Sequence, residues 1–175
     1  MTINLFIYLS LFALAVGSFV GVFIYRFPLM KSNEALNLIN PRSFCPSCRR
    51  QLKIPMLIPI FSFLFLRGRC GYCQEKIEPL YIINELIHLL VMLLILSSYT
   101  SFNISMVFIF LLFSIFYTQI ILDYRHLILS ITLSILLILA GVVINYYLNF
   151  FTSLEESILG LAAGYISLWL INALY

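Results

Sequence analysis

Apolar residues run along this chain in long blocks, interrupted at a few sharply defined places. Residues 3–25 carry no charge. At about 1.5 Å of rise per residue, a helix of that length crosses the roughly 30 Å hydrocarbon layer of a bilayer. A polar stretch follows at 28–79, then a second apolar block at 80–99 that contains Glu85 and His88. The third block, 104–122, is uncharged and leads into Asp123, Tyr124, Arg125 and His126. A fourth covers 127–151, and Glu155 and Glu156 precede a fifth at 157–175. This pattern predicts an all-α, polytopic integral membrane protein with about five transmembrane helices. The first block is not a secretory signal peptide, because it is too long, lacks a preceding basic region and is followed by Arg26. Within the polar stretch, residues 56–66 are apolar but too few to span, and Pro59 breaks them. A re-entrant or interfacial segment is expected there.

Composition sharpens the class. The 175 residues are 63% apolar and 10% charged, where a soluble domain carries roughly a quarter charged residues. The net charge of +3 says less than its placement. Lys31, Arg42, Arg49, Arg50, Lys53, Arg67, Arg69 and Lys76 all fall within 28–79. Basic loops stay in the cytoplasm, so this loop is expected inside and the N-terminus outside. Alternation puts 97–103 and 149–156 outside, where no Lys or Arg occurs, and puts Asp123 and Arg125 inside. The cysteine-bearing loop and Asp123 are thereby expected on one face.

All four cysteines lie in that loop, as Cys45, Cys48, Cys70 and Cys73 in the pattern C-x2-C-x21-C-x2-C. Four thiolates on two tight turns can close a tetrahedral zinc site, and Pro46, Gly68 and Gly71 supply turn chemistry beside them. A pair of redox dithiols and four bare thiols are the competing readings; a cytoplasmic position argues against the redox one. A closed four-sulfur site leaves no open position, so such a zinc would hold a loop together rather than react.

Asp123 is the one aspartate of the chain. A carboxylate buried in a membrane is costly and tends to be functional, but at a helix end beside Arg125 it can also be an ordinary interfacial charge. Glu85 and His88 are three residues apart and share a helix face, which suggests a local Glu–His hydrogen bond. Gly160 and Gly164 form a small-x-x-x-small pair of the kind used for close helix packing.

Several stretches then occur in a telling order. "GSFVGVFIYRFP" (17–28), the two C-x-x-C pairs, "SFLFLRGRC" (62–70), "YIINEL" (81–86), "LDYRHLI" (122–128) and "GLAAGYISLW" (160–169) together resemble the type IV prepilin peptidases, and the resemblance covers essentially the whole chain. It implies a bacterial inner-membrane aspartic endopeptidase that removes the basic leader of prepilins or pseudopilins at the cytoplasmic face. Many members also N-methylate the new terminus with S-adenosylmethionine. Asp123 matches the first catalytic aspartate, and the cysteines match the zinc loop.

The chain departs from the family at Gly21 and Leu57, where Asn is frequent, at Leu89, where E-L-x-x-G has glycine, and at Ser130, where Pro is common. The family's second aspartate lies in a G-x-G-D motif beyond the last matched stretch, so the sequence is expected to be truncated at its C-terminus. Glu85, or a second Asp123 across a homodimer, are the other conceivable sources of that carboxylate.

The expected organisation is a first transmembrane helix at 1–27, a cytoplasmic zinc-knuckle loop at 28–79, and a transmembrane peptidase region at 80–175. Prepilin or pseudopilin and membrane lipid are the expected partners, nucleic acid is not, and the oligomeric state is open. A non-enzymatic homologue that binds prepilin and a membrane thiol-redox protein are the alternative functions.

Overall fold

The computed structural model describes residues 3–30, 36–148 and 152–174. Lys31, residues 149–151 and Tyr175, named above among loop and span positions, lie outside the described residues. The chain divides into two compact units, residues 1–128 and 129–175. Its long elements are all α-helical: α1 (Ile3–Met30), α2 (Phe61–Phe65), α3 (Leu80–Ser98), α4 (Ile104–His126), α5 (Ile131–Leu148) and α6 (Leu154–Leu174). Helices α1, α3 and α4 are long and apolar enough to cross a membrane, and α5 adds a shorter apolar helix over Ile131–Tyr146. The protein is an all-α membrane protein.

In the first unit, α1, α3 and α4 pack into a bundle because each carries a stripe that lipid does not face. On α1 the stripe is Leu9, Ala13, Gly17, Val20, Gly21 and Ile24. On α3 it is Asn84, Glu85, His88, Met92 and Leu96, recurring about every fourth residue as one helix face must. Leu9, Ala13, Met92, Leu96, Met106 and Phe110 form one apolar cluster, and Val20, Ile24 and Leu122 another.

Close approach of α1 to α3 depends on missing side chains. A Cβ built on Gly17 would lie 2.8 Å from both the Asn84 carbonyl oxygen and the Glu85 Cα. Ala13, Gly17 and Gly21 thus form the working small-residue ridge of the molecule. Gly160 and Gly164, where such packing was expected, have no atom within 4 Å of a built Cβ. No partner surface for them is found among the described residues.

Two helices outrun their expected blocks. The first block stopped before Arg26, yet α1 continues to Met30. Arg26 is only 3% exposed. It donates from Nη1 to the Asn37 carbonyl at 2.7 Å and from Nη2 to the Pro41 carbonyl at 2.7 Å. Its guanidinium also lies over the Phe44 ring, 5.7 Å from the centroid. The charge therefore serves as a strap from α1 to the following loop and does not end the helix.

Likewise Asp123, Tyr124, Arg125 and His126, expected as a turn, are the last turn of α4. Leu127 closes it in the left-handed conformation, its N–H donating to the Asp123 carbonyl at 2.8 Å. Arg125 and His126 complement the negative end of the helix dipole there.

In the second unit, Ser130 caps the start of α5: Leu133 N–H donates to its Oγ at 3.4 Å. At the start of α6, Ser153 and Glu156 exchange side-chain-to-backbone bonds in a capping box. Asn145 Nδ2 donates to Ser157 Oγ at 2.6 Å, tying α5 to α6.

Candidate metal centre and the carboxylate of α4

The two C-x-x-C turns are built alike. In the first, Cys45 N–H donates to Arg50 O, Arg49 N–H donates to Cys45 O, and Phe44 bridges Gln51. In the second, Cys70 N–H donates to Glu75 O, Gln74 N–H donates to Cys70 O, and Arg69 bridges Lys76. The residue after each second cysteine is left-handed, Arg49 at φ 56° and Gln74 at φ 61°. Such a turn aims both sulfurs of a pair to one side. This repeat escaped sequence reading because only the cysteines, not the flanking residues, are shared between the halves. Arg50 lies over the Tyr72 ring at 5.7 Å and joins them.

The four sulfurs converge, all within 4.8 Å of one another. Cys45 Sγ and Cys73 Sγ are 3.8 Å apart and all four cysteines are free. Sulfurs at the corners of a tetrahedron around zinc, with Zn–S about 2.3 Å, lie about 3.8 Å from each other. The four cysteines are therefore positioned to bind a metal ion, and the spacing suits zinc.

The acidities agree with a cation's place. Burial raises the Cys70 thiol, but N–H donation from Cys73 and Tyr72 and the adjacent sulfurs outweigh it and leave Cys70 at about 7. At Cys73 the Glu75 N–H pulls downward, yet desolvation and the other three sulfurs push it up to about 12.

Alkylation should report this directly. In membranes at neutral pH, maleimide is expected to leave the loaded knuckle essentially unmodified. After a zinc chelator it should add to four thiols, counted by intact mass. Four additions before chelation would mean that no metal closes the site.

Glu85 and His88 do not bond to each other, contrary to the local pairing expected from their spacing. His88 Nδ1–H donates to the Asn84 carbonyl at 2.7 Å, one turn back on its own helix. Its ring meets Phe110, Phe113 and Tyr117 edge-on. Tyr117 OH donates to Asn84 Oδ1 at 2.7 Å, linking α4 to α3. Glu85 turns the other way, and its Oε2 accepts from Ile60 N–H at 2.7 Å.

That carboxylate lines a cleft of about 370 Å³ between the knuckle and the helices α1 and α3. Tyr25, Phe44, Cys70, Glu75 and Tyr81 also line it.

Asp123 stands on the exposed side of the last turn of α4. Two residues further, Arg125 Nη1 lies 2.5 Å from Glu78 Oε1. Glu78 directly follows the second knuckle, so this ion pair holds the α4 end against the base of the cysteine-bearing loop. Sequence reading expected the loop and the end of this helix on one membrane face from charge alone. The ion pair was not legible, since its partners are far apart in the chain.

A family model described as the Bacterial Peptidase A24 N-terminal domain matches residues 11–99. The prepilin leader peptidase/N-methyltransferase of Legionella pneumophila is 33% identical over 98% of this chain and 66% of its own length. That of Klebsiella pneumoniae is 35% identical over 93% and 71%, and that of Neisseria gonorrhoeae 35% identical over 95% and 64%. The chain spans about two thirds of the length of the curated relatives it matches. No solved structure matches.

Proposed function

This chain belongs to the bacterial A24 peptidase family, and we propose that it serves prepilin leader cleavage, with Asp123 as one carboxylate of an aspartic pair. The observation that carries this is similarity over more than nine-tenths of the chain to proteins named prepilin leader peptidase/N-methyltransferase. The substrate would be a prepilin or pseudopilin, cut at the cytoplasmic face of the bacterial inner membrane. The basic residues of the cysteine-bearing loop support that orientation.

In such a pair two carboxylates share one proton. The ionised one takes a proton from water as the water attacks, and the protonated one donates to the scissile carbonyl oxygen. Asp123 can take the first role from its exposed position, where water and an extended peptide reach it. It is the only aspartate among the 175 residues, so these residues supply one aspartate of the pair.

Zinc held by Cys45, Cys48, Cys70 and Cys73 would brace the loop that meets the substrate, since four sulfur ligands leave no coordination position free. S-adenosylmethionine is the donor implied for methylation. The cleft above the knuckle offers carboxylates at Glu75 and Glu85 and rings at Tyr25 and Tyr81, a lining compatible with a cationic, partly aromatic ligand.

A hybrid tests the peptidase reading. The chain is joined in frame to the remaining C-terminal part of the Legionella pneumophila relative and co-expressed with a prepilin. Leader loss, followed by mass, is the expected result. A hybrid that is in the membrane with its metal bound, yet leaves the prepilin whole, would count against the proposal.

A further inference from the structure

The apolar stretch between the two cysteine pairs has a fold of its own. Ile54–Leu57 form a 3-10 turn and Phe61–Phe65 a single helical turn, α2. Between them Ile60 sits at φ 61°, ψ −52°, and Phe61 N–H donates to Pro59 O at 2.6 Å. That is a γ-turn, a rare and strained conformation for a β-branched residue. What holds it is the bond from Ile60 N–H to Glu85 on α3.

The depth of this tip follows from α1. Gly17 touches α3 at Glu85 and lies 14 residues from Ile3 and 13 from Met30, roughly 20 Å from either end of a helix about 42 Å long. A hydrocarbon layer of about 30 Å that lies within the length of α1 therefore covers the Gly17 level, which is never closer than about 9 Å to either edge. A glutamate carboxylate reaches about 5 Å from its Cα, and the hydrogen bond adds 2.7 Å. On α3, Glu85 is only five residues past Leu80, about 7.5 Å into that helix, so the two helices together put Ile60 at the inner edge of the hydrocarbon layer.

The segment suits that depth. Pro55 and Pro59 have no N–H to satisfy. Met56, Ser62, Leu64 and Leu66 donate to Lys53 O, Ile58 O, Ile60 O and Ser62 O at 2.9–3.0 Å. Irregular backbone at membrane depth is tolerated where protein covers it or it lines a cavity, and Met56, Leu57, Ser62, Phe63 and Leu66 line the cleft between the knuckle and the helices α1 and α3. Met56, Phe63 and Leu66 pack inward on Gly68 and Gly71, while Phe61, Leu64 and Phe65 point away from the protein at 56%, 62% and 84% exposed. Lys53 and Arg67 bound the segment and are exposed, where a cation can meet anionic headgroups.

We propose that residues 54–66 are a re-entrant membrane segment that dips into the cytoplasmic leaflet. Phe61, Leu64 and Phe65 lie against acyl chains, Lys53 and Arg67 sit at the phosphates, and Glu85 pins the tip from within. The occupant of this apolar face is the bilayer itself. The proposal does not depend on the peptidase reading, because it uses only packing, depth and exposure.

The test uses the full chain in nanodiscs of mixed phosphatidylcholine and phosphatidylglycerol. Trp169, the sole tryptophan, is first removed as Trp169→Phe. Phe65→Trp and Leu64→Trp are then compared with Gln51→Trp, which lies on the exposed edge of the first knuckle. Lipid with bromine on its acyl chains should quench the tryptophans at 65 and 64 by about half, as expected for residues within the hydrocarbon, while iodide barely touches them. At position 51 the order should reverse. If iodide quenches 65 and 64 as it does 51, and bromine does not, the segment is in water and the proposal fails. The face would then belong to a protein partner. Two adjacent reporters guard against one substitution disturbing the turn, and bound metal confirms that the knuckle is folded.

Discussion

Asp123→Asn, introduced into a hybrid that removes prepilin leaders, is expected to lower the rate by ~10²–10⁴-fold, the usual worth of a general acid or base. Asparagine matches aspartate in size, and the capping bond at this position is donated by Leu127 N–H to the backbone carbonyl, which the substitution leaves alone. The side chain is exposed, and surface changes of this kind usually alter stability by no more than about 0.5 kcal/mol. Membrane level, metal content and thermal midpoint should therefore stay where they were. What is lost is the ability to accept a proton from water, because an amide oxygen is a far weaker base. Asp123→Glu offers a second check: it keeps the base but moves it by one methylene, so partial activity is expected. Unchanged cleavage by the asparagine variant would remove Asp123 from the chemistry.

Much of the architecture was legible because it rests on composition over long windows. Long apolar blocks locate α1, α3 and α4, and a bilayer imposes the helix without any need for tertiary detail. Cysteine spacing likewise brought the metal centre into view, since two tight turns suffice to gather four sulfurs. What stayed hidden depends on partners distant in sequence. Nothing in the string of residues shows that Arg26 is spent on the carbonyls of Asn37 and Pro41. Nor does it show that Glu85 is held by Ile60 and not by His88.

The small-residue ridge is a different case. Ala13, Gly17 and Gly21 recur every fourth residue, so the signal was present in the sequence, as clear as that of Gly160 and Gly164. Deciding between the two ridges requires knowing which helix face has a neighbour. Gly21 adds a consequence of its own. A Cβ there would stand 3.3 Å from Asn84 Nδ2, a buried amide nitrogen with no hydrogen-bond partner among the described residues. The asparagine frequent at this position in the type IV prepilin peptidases would stand beside that amide.

Gly17→Val is expected to be the most damaging single substitution in the first unit. Even the Cβ of alanine would lie 2.8 Å from the Asn84 carbonyl oxygen and 2.8 Å from the Glu85 Cα. Both are backbone atoms of a helix and cannot swing aside, so α1 and α3 must move apart. Separation would loosen the Met92 and Leu96 packing on Leu9 and Ala13. It would also shift Asn84 away from Tyr117 OH and Glu85 away from Ile60 N–H, bonds now at 2.7 Å each. Overpacking alone costs about 1–3 kcal/mol, and the broken buried hydrogen bonds add about 1 kcal/mol or more each.

A total above about 3 kcal/mol should lower the thermal midpoint in detergent by roughly 6–12 °C for a chain of this size. Gly21→Ala is the informative comparison. Its new Cβ meets Tyr81 Cδ1 at 3.0 Å and Asn84 Nδ2 at 3.3 Å, both side-chain atoms that can yield, so a much smaller loss is expected. The ordering carries the meaning: Gly17 far worse than Gly21 places the α1–α3 crossing at Glu85. Equal and small losses would put the crossing elsewhere, and with it the depth assigned to Ile60.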